Sequence, residues 1–176
     1  LAGALLIAHP GLLDPNFRRS VLFMGAHDPD SGAYGLVLNR PTGKTAAEYL
    51  PDQELGGLGK VPVFVGGPVG ANQLTFVSFQ WHPADEVVEM TSHVTVEDAW
   101  KMGGEGLQSL RAFVGYAGWA GGQIESELAG KSWLVQRPGR EMLDIESCQG
   151  FWQRIMREQG PWFQILASEP DDPSVN

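Results

Sequence analysis

Residues 112–135 read AFVGYAGWAGGQIESELAGKSWLV, and they narrow the choice of fold more than any other stretch. The spacing predicts a short buried strand at 113–116. A turn follows, in which Gly118, Gly121 and Gly122 surround Trp119. Ile124 and Leu128 lie four apart, which predicts a helix over 123–129. Gly130 is placed to stop it in left-handed geometry, and 133–135 returns as a strand. Gly118 or Gly121 is expected to take a positive φ, which glycine tolerates without a Cβ penalty.

A glycine turn running into a helix N-terminus can hold an anion on its free N–H groups. Here Glu125 and Glu127 already complement the helix dipole, and no Lys or Arg occurs between Ala112 and Gly130. The expected role of the turn is therefore tight backbone packing, with Trp119 as a lid on the core.

The chain of 176 residues suits one domain. The expected division is a single domain over 1–168 and a loose acidic tail over 169–176. Net charge is −9, and the twelve Lys and Arg are scattered. Phosphate contact supplies much of the affinity for nucleic acid, so this composition argues against direct DNA binding. Cys148 stands alone, which excludes an intrachain disulfide and a cysteine zinc site. A lone cysteine fits a reducing, cytoplasmic setting. No run reaches the length of a membrane span, and 1–8 lacks the basic region and cleavage site of a signal peptide.

Strands are expected at 4–8, 21–26, 34–39, 61–65, 74–79 and 87–90, with 21–26 and 34–39 forming a hairpin. Pro41 is expected to end its strand. A short helix at 45–50 is capped by Thr42 or Thr45, and 51–60 reads as a mobile loop. Trp81-His82-Pro83 reads as a turn. Thr95 with Asp98 resembles a capping box, and Gly103-Gly104 stops that helix. A further helical turn is expected at 107–110. Residues 141–145 read as extended and 163–167 as a final edge strand. The clearest amphipathic helix is 147–159, with Phe151, Trp152, Ile155 and Met156 on one face.

The best polar cluster is Asp14, Asn16, Arg18, Arg19 and His27, with Asn39 and Arg40 across the hairpin. Arg offers a planar donor fork for carboxylate or phosphate, and His can titrate near neutrality. A small-anion or acid–base site is one reading; turn caps and ion pairs holding the framework are the other. His9, His27, His82 and His93 show no i, i+4 pair for a metal. Pro41-Thr42-Gly43-Lys44-Thr45 lacks the earlier glycine of a phosphate loop. Glu125 and Glu127, two apart, face different ways. No catalytic residue, metal or cofactor is assigned.

Four runs carry a family resemblance: LLIAHPGLLDPNFRRSV, GAYGLVLNRP, VFVGGPV and GYAGWAGGQIESELAGKSW, in that order. Together they resemble the YqgE/AlgH family of bacterial proteins. The resemblance marks Gly115, Gly118, Trp119, Gly121, Gln123, Glu125 and Trp133 as its motif positions. It implies a mixed α/β (α+β) fold with a strand-rich, partly barrel-like core flanked by helices. By family name it also implies a regulator of transcription. The expected partner is an unknown protein or small molecule, and a homo-oligomer is possible. The preferred reading is a non-catalytic binding protein; the alternatives are an enzyme or anion binder at Arg19 and His27, and a direct DNA binder.

Overall fold

The computed structural model describes residues 1–99, 101 and 110–168. Nine strands form one curled sheet: β1 (Leu5–Ala8), β2 (Val21–Asp28), β3 (Gly32–Val37), β4 (Pro41–Thr45), β5 (Pro62–Val65), β6 (Val69–His82), β7 (Val87–Ser92), β8 (Leu110–Trp119) and β9 (Trp133–Gln136). The main path runs β4-β5-β8-β3-β2-β1-β9, and β6 joins β7 to β8. The result is an α+β half-barrel.

The sheet curls because β8 changes partners along its length. Its first half lies parallel to β5 and antiparallel to β6, with Phe113 opposite both Phe64 and Thr75. Its second half, Ala117–Trp119, pairs with β3. Gly115 sits at the switch with φ +70°. A Cβ there would lie 2.4 Å from the Gly67 carbonyl oxygen, and one on Gly67 would lie 2.2 Å from the Tyr116 carbonyl carbon. Two backbones thus cross in near contact, which only glycine allows.

Strand alternation sorts the apolar side chains onto three cores. Leu5, Ile7, Val21, Phe23, Phe64, Phe79 and Phe113 face the concave side, covered by α3 (Phe151–Glu158), whose Phe151, Trp152, Ile155 and Met156 are buried as its spacing predicts. Leu6, Ala8, Leu22 and Met24 face the other way, under α2 (Gln123–Ala129). Ala46, Leu55, Leu58, Val63 and Ala112 form the third. It is closed by α1 (Ala46–Tyr49) and a 3-10 turn, Gly56–Lys60. Trp152 docks α3 onto β1 by donating its indole N–H to the Ala8 carbonyl at 2.8 Å. The helix α4 (Pro161–Ala167) packs back through Phe163 onto His9.

Much of the expected order is present: the β2–β3 hairpin, α2 over the expected residues, and the Thr95–Asp98 capping box, made in both directions. Helix α1 starts with a Thr45–Glu48 box.

Several expectations are corrected. Gly118 and Gly121 do not take positive φ; Gly115 and Gly122 do. Gly118 lies inside β8 opposite Tyr34, and Gly121 is small because a Cβ would lie 2.0 Å from the Asp30 carbonyl oxygen. Trp119 is the last residue of β8, not part of a turn. Gly130 ends α2 at φ −74°, and Lys131 takes the left-handed position instead. The strand β3 ends at Val37, before Pro41 as expected, and Pro41 itself opens β4, which pairs with β5 at the sheet edge, where a missing N–H is tolerated.

Trp81 and His82 continue β6 and pair with Val88 and Val87. Residues 51–60 carry buried Leu55 and Leu58 rather than forming an open loop. Residues 141–145 hold the 3-10 turn Arg140–Leu143. The expected edge strand at 163–167 is α4, because Pro161 suits a first helical turn and Gly160, at φ +115°, re-aims the chain. The 147–159 helix is α-helical only from Phe151. The stops at Gly103-Gly104, most of 107–110 and the tail 169–176 lie outside the described residues.

Candidate functional site

Three of the motif side chains around α2, Trp119, Gln123 and Trp133, converge on one carboxylate. Glu127 Oε2 accepts the indole N–H of Trp119 at 3.0 Å and that of Trp133 at 2.8 Å. Its other oxygen accepts the Gln123 side-chain amide at 2.9 Å. The Gln123 carbonyl oxygen in turn accepts the Ala120 backbone N–H, which steadies the turn into α2. Phe17 stacks on Trp119 and meets Trp133 edge-on, completing an aromatic cluster. Gly32 admits the Trp119 carbonyl: a Cβ there would lie 2.2 Å from it. Because β8, α2 and β9 meet at Glu127, this carboxylate is a clamp. Spacing alone hides it as a bonding centre, because the two indoles lie six and eight residues away.

Glu125 faces elsewhere, as the two-residue spacing predicts. Its Oε1 lies 2.6 Å from His27 Nε2, while Oε2 is buried and has no partner among the described residues. The hydrogen bond from His27 is the main reason its carboxyl is held below the usual carboxylate range. A bulge in β2 explains how His27 gets there. Pairing shifts between Met24 and Ala26, so that Ala26 opposes Tyr34 and His27 opposes Ala33. The extra residue reverses the alternation. His27 therefore faces α2 instead of the concave core that Val21 and Phe23 face.

A depressed carboxylate pKa contributes stability above its unfolded value, and that contribution is lost as pH falls through the folded value. The ordinary value is 4.5. Glu125→Gln is therefore expected to lower the urea midpoint at pH 7 and to lose much of that difference when wild type and variant are compared at pH 3. An equal difference at both pH values contradicts the pairing.

The remaining cluster residues lie at the other end of β2. Arg40 donates from Nη1 to the Asn16 carbonyl at 2.6 Å and from Nη2 to the Arg18 carbonyl at 3.1 Å. Burial pushes its guanidinium below the usual Arg range, partly opposed by Asp14. Asn39 accepts the Val21 N–H and donates to the Arg19 carbonyl, both at 2.9 Å. Asp14 folds the same loop by accepting the Asn16 N–H on its side chain and the Arg18 N–H on its backbone. Asp14, Asn16, Arg18, Asn39 and Arg40 thus latch the β1–β2 connection to the end of β3.

Arg19, at φ +54°, places its guanidinium 5.5 Å from the centre of the Trp152 ring. The eight residue steps from Arg19 to His27 span about 26 Å along an extended strand. Arg19 meets α3 and His27 meets α2, so the expected convergence of the two does not occur.

Sequence reasoning missed Arg111. It lies on β8 at 1% exposure inside the concave core, flanked by Phe64 and Phe79 with its guanidinium carbon 5.3 and 5.6 Å from their ring centres. Nη2 donates to the Met142 carbonyl, and Nη1 has no partner among the described residues. Burial pushes it down to about 10. The alternation of β8 was the available signal, since Arg111 shares a face with Phe113. Burial raises the nearby Cys148 thiol, which makes it a poor nucleophile. No group of three potential metal ligands occurs among the described residues, and no described helix is long and apolar enough to cross a membrane.

These features define a half-barrel whose strand-switch glycines and Glu127 clamp sit where the sequence signature is densest. Residues 5–164 match the AlgH-like family, and the chain belongs to it. A UPF0301 protein of Thermobifida fusca is 32% identical over all of this chain and 96% of its own length. One of Streptomyces coelicolor is 35% identical over all of this chain and 95% of its own. The solution structure of the AlgH protein from Pseudomonas aeruginosa superposes with a TM-score of 0.64 at 28% identity, covering 96% of this chain and 94% of that one. A Corynebacterium diphtheriae crystal structure shares the fold, with a TM-score of 0.72 at 20% identity over 95% of this chain and 91% of its own.

Proposed function

We propose that this chain is a non-catalytic, cytoplasmic binding or regulatory protein, and that any effect on transcription is indirect, through a protein or small-molecule partner. The observation that carries this reading is where the signature's polar groups are spent. Glu127 and Gln123 bond to the indoles and to the turn, and Arg40 and Asn39 bond to backbone carbonyls. These groups stabilise the framework. The enzyme alternative needed Arg19 and His27 in one site; Arg19, just before β2, lies over Trp152 of α3, whereas His27, near the far end of β2, bonds Glu125 of α2. The net charge of −9 sets long-range repulsion against a duplex.

Fluorescence anisotropy with labelled genomic fragments at low and moderate salt tests the reading. The expected result is weak or absent binding at both salts. A dissociation constant tighter than about 0.1 μM that weakens as salt rises would overturn it.

A further inference from the structure

A cavity of about 260 Å³ lies between the β1–β9 strand pair and α3. Its floor is apolar, formed by Leu5, Phe151 and Ile155, which are 0, 4 and 3% exposed. Two carboxylates and an unsatisfied amide oxygen stand beside one guanidinium in its polar wall. Gln136 reaches it from β9, and its Oε1 is buried with no donor among the described residues. The exposed Glu141 and Glu158 flank the opening from the 3-10 turn and the end of α3. The one cation in the wall, Arg154, is turned to Ser147, donating to its carbonyl at 2.8 Å and to its hydroxyl at 3.2 Å while lying over the Phe151 ring.

A buried acceptor without a donor is costly, and a carboxylate pair beside an apolar floor favours a partner that brings both donors and hydrocarbon. We propose that this cavity binds a small organic cation of the aliphatic amine class. Its N–H groups donate to Gln136 Oε1 and to the two carboxylates, and its methylenes lie on Leu5, Phe151 and Ile155. An anion is disfavoured there, because the two carboxylates outweigh the single positive charge of Arg154, whose donors are turned to Ser147. The overall negative charge raises the local concentration of such a cation. The proposal stands on the cavity alone, so its failure leaves the partner-mediated reading intact.

The test is an amide-resolved NMR titration of the whole chain with 1,4-diaminobutane at fixed ionic strength. 1,4-Butanediol and succinate serve as uncharged and anionic controls. The expected result is saturable shifts confined to β9, the 3-10 turn and α3, with a dissociation constant of about 1 mM or tighter. Neither control should produce them. Glu141→Gln with Glu158→Gln, both exposed and of conserved shape, should weaken binding at least about tenfold. Gln136→Leu should weaken it independently. Absence of saturation up to about 10 mM overturns the proposal, and leaves water as the occupant of the cavity. Binding unchanged in the double variant also overturns it, because diffuse attraction to an acidic protein would then account for the shifts.

Discussion

Trp152→Ala is expected to lower the free energy of unfolding by about 3–5 kcal/mol, the range for emptying an aromatic site in a packed core. Trp152 is 1% exposed and packs in the concave cluster with Phe151, Ile155 and Met156. Its indole N–H is the donor that satisfies the Ala8 carbonyl, so truncation leaves both a cavity and an unpaired acceptor. It also removes the ring beneath the Arg19 guanidinium. These losses fall where α3 meets β1, so urea unfolding should shift to a lower midpoint as a single transition. A loss below about 1 kcal/mol would mean that α3 contributes little to closing the half-barrel.

The elements that proved legible in the sequence are those whose signal is local. Helix α2 shows itself through Ile124 and Leu128, and the amphipathic face of α3 through four apolar residues at helical spacing. The first hairpin could be read because two apolar runs flank one polar turn. The Thr95–Asp98 box needs only three residues of spacing.

What stayed hidden depends on partners distant in sequence or on one irregular residue. The one local sign of the bulge before Ala26 is Gly25, the residue it leaves unpaired, and the bulge decides which sheet face His27 occupies. Strict alternation from Arg19 would have put both side chains on one face; the bulge sends His27 to Glu125, 98 residues away. Glu127 reads as a solvent-exposed helix acid until β8 and β9 bring two indoles to it. Arg111 reads as an ordinary charge until Phe64 and Phe79 close around it. The segment 163–167 is too short for its apolar spacing to separate a strand from a helix. The family resemblance supplied the half-barrel; composition and spacing supplied the single domain and the doubt over DNA.

The central claim is that the signature glycines and their neighbours are architecture: they let β8 change partners and close the sheet. Gly115→Ala tests it most directly. The variant places a Cβ at a φ of +70°, where an L side chain is strained, and 2.4 Å from the Gly67 carbonyl oxygen. That atom belongs to backbone held by the crossing, so it cannot rotate away as a side chain would. Left-handed strain of about 1–3 kcal/mol adds to an overpacking cost of similar size. Equilibrium urea unfolding is expected to show a loss of about 3 kcal/mol or more, or failure to fold. An unfolding midpoint within error of wild type would contradict the account, because the switch in β8 would then not depend on glycine at position 115.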